Sequence, residues 1–164
     1  MSFVDSVNSS ADTRPADTEG WQLTVTSPYL RKVAIIAAVV VMAAHIFMAI
    51  VVGVGNTGVA VTPADQFAFV GIGLIFSACC LALLRPRVRA GAAGVEVRNI
   101  ANAQFYPWEI IYGLSFPASS RNARLELPDF EFVPMLAFYI KDKDVAAKVE
   151  RFRQLEDAYM PDED

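Results

Sequence analysis

The hydrophobic positions of this chain are concentrated in two long runs, 33–54 and 67–84, and neither run contains Asp, Glu, Lys or Arg. At about 1.5 Å of rise per residue, a helix over either run can cross a hydrocarbon layer of roughly 30 Å, the second with little to spare. Two buried helices of a soluble protein would need far more surrounding chain than this sequence offers. The pattern therefore predicts transmembrane helices over 33–54 and 67–84, joined by a short extracytoplasmic loop over 55–66.

The chain ahead of the first run is mostly polar. Residues 1–20 are rich in Ser, Asp, Thr and Ala, so we expect a disordered cytoplasmic tail there. A cleaved signal peptide is not expected, because the apolar run that follows is longer than the roughly 7–15 residues of such a segment. Between them, residues 21–26 alternate apolar with polar. The segment 21–32 is predicted to be either an edge strand of the C-terminal domain or a juxtamembrane segment.

The hydrophobic period changes to two after the second run. Residues 95–99 alternate like a strand with one buried face, and further strand-like pieces follow at 104–107, 110–116, 123–127 and 131–139. Pro, Ser and Asp residues between these pieces supply turns. This spacing favours an antiparallel meander over a βαβ arrangement.

The last predicted element has a helical period and a capping residue, either Asp142 or Asp144. Its apolar stripe at spacings of three and four is formed by Val145, Val149, Phe152, Leu155 and Tyr159. The predicted fold class is a membrane α-helical hairpin plus a small antiparallel β domain over 85–160, a partial barrel capped by its C-terminal helix.

The charges refine this picture. A formal net charge of -4 gives no basic field, so no nucleic-acid partner is expected. The cations that flank the apolar runs are Arg31, Lys32, Arg85, Arg87 and Arg89, and the predicted loop has none. Because positive residues stay on the cytoplasmic side, we predict a multi-pass protein of the cell membrane with both termini cytoplasmic. The same five cations are candidate contacts with anionic headgroups, at about 1 kcal/mol each.

His45 is the only histidine of the chain and lies midway along the first predicted helix. An ionisable side chain inside a membrane is a candidate functional residue, such as a haem ligand or a proton relay. Neither run supplies a second ligand or a carboxylate, so an interhelical or partner contact is the favoured role. Gly53, Gly55, Gly71 and Gly73 offer room for close helix approach, although neither pair has GxxxG spacing.

The aromatic residues of the C-terminal region are candidates for binding. Trp108 lies at the entry to the predicted strand 110–116, where a Trp is more often a core residue than an anchor for a partner; it is kept as a possible partner anchor. One small core cannot hold all the others, so some are expected to face the membrane or a partner. This set comprises Phe105, Tyr106, Phe116, Phe130, Phe132, Phe138 and Tyr139.

Catalytic motifs are missing from the sequence. It has no GxGxxG or Walker loop, and its two cysteines, Cys79 and Cys80, are neighbours inside an apolar run. Glu126, Asp129 and Glu131 are interpreted as the charged side chains of a solvated turn. We therefore expect no enzymatic activity, no cofactor and no metal.

Several short motifs together resemble the bacterial PH-like domains that follow two transmembrane helices in actinobacterial membrane proteins. In chain order they are Thr62-Pro63-Ala64-Asp65-Gln66, Arg85-Pro86-Arg87-Val88-Arg89, Gly94-Val95-Glu96-Val97-Arg98-Asn99, Pro107-Trp108-Glu109-Ile110-Ile111 and Leu125-Glu126-Leu127-Pro128-Asp129. The resemblance covers about residues 28–158, and the order of the motifs carries more weight than any one of them. It implies a PH-like strand barrel with a terminal helix and no established chemistry.

These patterns predict a noncatalytic membrane-anchored interaction module, or an accessory subunit of a membrane complex such as a respiratory or cell-envelope assembly. Binding is expected through the cytoplasmic PH-like domain. The alternative is an anionic-lipid-binding or lipid-sensing membrane protein. The expected partners are the lipid bilayer and another membrane protein, and the oligomeric state stays open.

Overall fold

The structure, a computed structural model, describes residues 20–54 and 62–160. The chain divides into two compact units. One is the apolar segment Ser27–Arg85, and the other is formed by the chain on either side of it. The predicted tail, apart from Gly20, and most of the predicted loop, 55–61, lie outside the described residues.

The apolar unit is built from two helices, α1 (Pro28–Val54) and α2 (Pro63–Leu81), and a 3₁₀ turn at Ala82–Leu84 ends it. Both are long and apolar enough to cross a membrane. Helix α2 begins earlier than predicted, so 63–66 belong to the helix and not to the loop. The Asp65 carboxylate accepts hydrogen bonds from the Thr62 backbone N–H (2.8 Å) and hydroxyl (2.9 Å), and Pro63 has no N–H to leave unpaired.

Small side chains line the contact between α1 and α2. Ala34, Ala38 and Ala49 of α1 and Gly73 and Ser77 of α2 are the buried residues of the two helices. The Ser77 hydroxyl donates a hydrogen bond to the Ala38 carbonyl at 3.0 Å. Only 11% of the most apolar 18-residue stretch of each helix is buried. Helices that expose most of their apolar surface are typical of a lipid environment and not of a soluble core.

The second unit contains two antiparallel sheets. The first has the order β1 (Trp21–Val25), β2 (Arg87–Gly91), β3 (Gly94–Arg98) and β4 (Ala103–Pro107). After a 3₁₀ turn at Trp108–Ile110, the second sheet has the order β5 (Gly113–Ser115), β6 (Asn122–Glu126) and β7 (Phe132–Tyr139). Within the described residues the two sheets do not join into a closed barrel, which agrees with the predicted partial barrel.

Strand β1 comes from the chain ahead of the hairpin. It pairs with β2, with Val25 opposite Val88, and both side chains are buried. The hairpin is therefore an insertion between the first two strands of one sheet. The predicted bounds of 85–160 leave this strand out of the domain. They also treat Arg87 and Arg89 only as a basic collar, whereas these residues belong to strand β2.

The core lies between the sheets and helix α3 (Val145–Tyr159). Phe152 of α3 is fully buried and meets Phe138 of β7 edge to face, with 5.7 Å between ring centroids. Asp144 occupies the N-cap position, but its side chain makes no capping bond and instead pairs with Lys148 at 3.0 Å. Lys148 Nζ also donates to the Thr26 carbonyl at 2.9 Å, which ties α3 to the end of β1.

Candidate functional site

Trp108 lies in the core of the β unit. Its side chain is 2% exposed, and its ring centroid is 5.9 Å from that of Phe152. The indole N–H donates to the Gly91 carbonyl at 2.8 Å. A buried indole whose one donor is already satisfied presents no surface to a partner. This burial supports the favoured core role of Trp108 and argues against its role as a partner anchor.

His45 lies on the face of α1 that packs against α2. Its ring centroid is 5.9 Å from that of Phe76, and a Cβ added to Gly73 would come within 2.6 Å of the His45 Cβ. The imidazole hydrogen bond stays within α1, from Nδ1 to the Val41 carbonyl at 2.8 Å. The contact between the helices is thus packing, and Gly73 provides the room for it. A contact of His45 with another subunit stays a prediction.

An open cavity of about 600 Å³ lies on the exposed side of the β5–β7 sheet, and we call it the aromatic cavity. It is lined by Tyr112, Arg124, Glu126, Leu127, Asp129, Phe130, Glu131 and Phe132. Strand register gathers these residues: Glu126 pairs with Gly113 on one side and with Phe132 on the other. The Tyr112 backbone N–H donates to the Glu126 carbonyl at 2.9 Å, which places Tyr112 beside Glu126 with the other two aromatic residues of the cavity, Phe130 and Phe132.

The turn between β6 and β7 projects Phe130 away from the protein. Asp129 (φ 59°) and Phe130 (φ 61°) both have left-handed backbone conformations. The Leu127 N–H to Glu131 carbonyl bond (3.0 Å) closes this turn. Asp tolerates the left-handed region, but for a bulky residue it costs about 1–2 kcal/mol. Phe130 is nevertheless fully exposed, at 103% of the reference value. An aromatic side chain held outward in a strained turn is typical of a functional site.

Arg124 is one of the residues that line the aromatic cavity. Its guanidinium lies 5.1 Å from the centroid of the Phe132 ring, and its Nη2 is 3.0 Å from Glu126 Oε1. The Ser115 hydroxyl donates to the same carboxylate oxygen at 2.7 Å. The bonds from Ser115 and Arg124 hold the pKa of the Glu126 carboxyl below its usual range. Glu126 is therefore ionised at neutral pH.

Three arginines share the outer face of the β1–β4 sheet, and we call this surface the arginine face. Arg87 and Arg89 are two residues apart on β2, and Arg98 lies opposite Arg87 on β3. Glu96, opposite Arg89, is 7% exposed and its carboxylate lies 3.6 Å from Arg87. One acidic residue among three arginines leaves the face net positive.

The other predicted headgroup contacts belong to the hairpin unit. Arg31 and Lys32 are exposed in the first turns of α1, and Arg85 is exposed directly after the 3₁₀ turn that ends α2. The structure thus places two of the five predicted cations, Arg87 and Arg89, on one surface. It adds Arg98, which alternates with buried Val95 and Val97 and could have been found from that alternation.

Comparison with known proteins agrees with this architecture. Residues 85–155 match the family described as Bacterial PH domain. The chain is also 36% identical over 143 residues to uncharacterized proteins of Mycobacterium bovis and of two strains of Mycobacterium tuberculosis. The aligned region covers 87% of this chain and 93% of each relative. The chain belongs to the bacterial PH domain family. No solved structure matches it.

The PH domain of this protein extends beyond the matched residues, because β1 completes its first sheet from the other side of the hairpin. The alignment with the mycobacterial relatives is too long to leave the hairpin out, so the relatives share both parts. Among the described residues, no group of three or more His, Cys, Asp or Glu could hold a metal. The surface of the PH domain around the aromatic cavity presents aromatic rings, a guanidinium group and carboxylates.

Phe130 and Phe132 belong to the large aromatic set that the sequence predicts to be partly exposed, but the sequence does not predict the aromatic cavity of the PH domain. Tyr112 was not in that set, and Arg124 was not singled out. The alternation of 122–126, with Ala123 and Leu125 inward, places Arg124 and Glu126 on one outer face and could have indicated them. Their meeting with Tyr112 depends on strand register, which the sequence does not give.

Proposed function

We propose that this protein is a noncatalytic, membrane-anchored interaction module whose cytoplasmic PH domain binds another membrane protein. The observation that carries the proposal is the aromatic cavity, where Tyr112, Phe130 and Phe132 are exposed around a concave surface. Exposed aromatic residues at a pocket are the usual anchors of protein interfaces. The proposal includes a role as accessory subunit of a larger membrane assembly.

The proposed anchor is the α1–α2 hairpin, spanning the cell membrane twice with both termini in the cytoplasm. The flanking cations Arg31, Lys32 and Arg85 support this orientation. The β1–β2 pairing independently supports two crossings, but not the side on which the domain lies, because both ends of the hairpin connect to neighbouring strands of one folded domain. A hairpin that starts and ends at the same domain crosses the membrane an even number of times.

The test is affinity purification of the full-length protein from membranes in a mild maltoside detergent. We expect a membrane protein to co-purify at constant stoichiometry with the wild type and to be lost with Phe130→Ala. Ile140→Ala is the matched control, since Ile140 is an exposed apolar residue that does not line the cavity. Retention of the partner by Phe130→Ala, or recovery of the protein alone in several detergents, would count against the proposal.

Binding of anionic lipid is a second candidate function, supported by the arginine face. Arg87, Arg89 and Arg98 exceed the single charge of Glu96, and a cationic surface attracts acidic lipid headgroups. In maltoside micelles, the full-length protein should bind short-chain phosphatidylglycerol more tightly than phosphatidylcholine. The double variant Arg87→Gln/Arg98→Gln should lose this preference, while Arg151→Gln on α3 should keep it. Equal binding of both lipids by the wild type would exclude this function.

A further inference from the structure

We propose that the aromatic cavity binds a cationic side chain, an arginine or a lysine, carried by an extended segment of the partner protein. This inference rests on the proposed function and names the chemistry that the partner must present. The ring contacts, the charges and the size of the cavity support it.

The rings of the cavity already accept a guanidinium. Arg124 lies 5.1 Å from the centroid of Phe132, within the distance at which a cation is attracted to a ring face. Phe130 and Tyr112 line the same cavity and are largely exposed. No cation is stacked on either ring in the part of the chain that the structure describes. The cavity therefore offers two further ring faces to a cation from outside.

The charges of the cavity favour a cation over an anion. Its lining contains the carboxylates of Glu126, Asp129 and Glu131 against the single guanidinium of Arg124. Arg124 is already paired with Glu126 at 3.0 Å. Across residues 20–54 and 62–160, no cationic side chain forms an ion pair with Asp129 or Glu131. The cavity is thus net negative, and it would repel a phosphate or a carboxylate.

The size and openness of the cavity select a side chain on a protein segment. A volume of about 600 Å³ accommodates a guanidinium with its aliphatic stem and the neighbouring backbone. Because Phe130 is fully exposed at the rim, a segment can enter from solvent and pack its apolar part against the ring. Arginine suits the site best, since its planar group stacks on an aromatic ring while it forks to a carboxylate.

The test measures binding of a single amino acid to the full-length protein in maltoside micelles, which contain no competing quaternary ammonium. The protein is labelled with 4-fluorophenylalanine at its phenylalanine positions. The Phe130→Tyr and Phe132→Tyr variants assign the ¹⁹F resonances of Phe130 and Phe132. N-acetyl-arginine amide is the probe, and N-acetyl-citrulline amide is its neutral isostere. We expect the arginine probe to shift both resonances saturably and citrulline to bind at least tenfold more weakly.

Charge variants test the role of the carboxylates. Asp129→Asn keeps a residue that tolerates the left-handed conformation. The double variant Asp129→Asn/Glu131→Gln should weaken binding of the arginine probe by about five- to tenfold. Glu150→Gln on the exposed face of α3 is the control and should change nothing. Equal shifts by arginine and citrulline, absence of a saturable shift, or unchanged affinity in the double variant would each overturn the inference. If the double variant does not fold, the salt dependence of arginine binding to the wild type is measured instead. Binding should be lost at high salt, and salt-independent binding would overturn the inference.

The two proposals fail separately. If the partner still requires Phe130 but the arginine probe does not bind, the cation claim is wrong and the interaction module stands. If the partner is retained by Phe130→Ala, the proposed function is wrong, whatever the probe does.

Discussion

At the scale of residues, the most informative side chain is Phe130, because its exposure and its backbone conformation are both unfavourable for folding. It buries no apolar surface within the domain and lies at φ 61°. A residue of this kind is retained for a reason other than stability, and binding is the reason that the aromatic cavity offers. The strain is small against a total stability of about 5–15 kcal/mol, so the fold tolerates it.

Replacement of Phe130 by Asn separates stability from binding. Asn tolerates the left-handed region, so Phe130→Asn should raise the free energy of unfolding by about 0.5–1 kcal/mol. The same change should remove the proposed partner binding. Urea unfolding of the purified protein, followed by tryptophan fluorescence, measures the first effect. A lower urea midpoint in Phe130→Asn than in the wild type would show that the ring stabilises the turn and is not strained.

Glu156 provides a pH test of the packing of α3. It is half-buried, and burial raises the pKa of its carboxyl above the usual value, although the Leu114 N–H partly offsets this. The folded protein therefore holds this proton more tightly than the unfolded chain. The protonated Glu156 carboxyl therefore contributes its full stabilisation below pH about 4.5. This stabilisation is lost as the pH rises through the pKa of Glu156 in the folded protein.

The variant Glu156→Gln mimics the protonated acid at every pH. It should unfold at a higher urea concentration than the wild type at pH 7, and the difference should disappear near pH 4. Glu150→Gln, on the exposed side of the same helix, is the matched control. A difference between Glu156→Gln and wild type that is equal at both pH values would contradict the assignment.

At the scale of elements, strand β1 decides how the domain is assembled. Leu23 and Val25 are buried against the sheet, and Val25 lies opposite Val88. Full burial of such side chains contributes about 1.5–3 kcal/mol each. A chain that starts at Pro86 therefore lacks part of its core and leaves the edge of β2 unpaired.

A direct test replaces residues 27–85 with a short Gly-Ser linker. Because neighbouring antiparallel strands need only a few residues to connect them, this chain should fold as a soluble domain with cooperative urea unfolding. Residues 86–164 alone should be less stable by about 3–6 kcal/mol. Equal unfolding midpoints for the two chains would mean that β1 is dispensable.

An element could be predicted where its sequence pattern shows which side chains are buried. The two apolar runs and the stripe of α3 carry strong periodic or compositional patterns, and apolar and polar residues alternate in β3 and β6. Strand β7 is instead a continuous apolar run. Strand β2 was missed because Arg87 and Arg89 resemble a topology determinant, although Val88 and Ala90 alternate with them. The aromatic cavity could not be predicted from the sequence, because Tyr112 and Phe132 line the same cavity only through the register of β5, β6 and β7.

At the scale of the whole molecule, the apolar hairpin is inserted into a PH domain whose first two strands lie on either side of it in the chain. This connection predicts the topology. Reporter fusions after residue 58 and after residue 158 should lie on opposite sides of the membrane, and an N-terminal fusion should report the cytoplasm. Reporters at 58 and 158 on the same side would exclude a hairpin that spans the membrane twice.

The proposed function requires the PH domain to bind a partner at its aromatic cavity while the hairpin is in the membrane. Photo-crosslinking in intact cells measures this directly, with benzoylphenylalanine placed at position 130 or, as a control, at position 150. We expect one defined crosslinked product from position 130 and none from position 150. No product from position 130, or the same products from both positions, would contradict the claim.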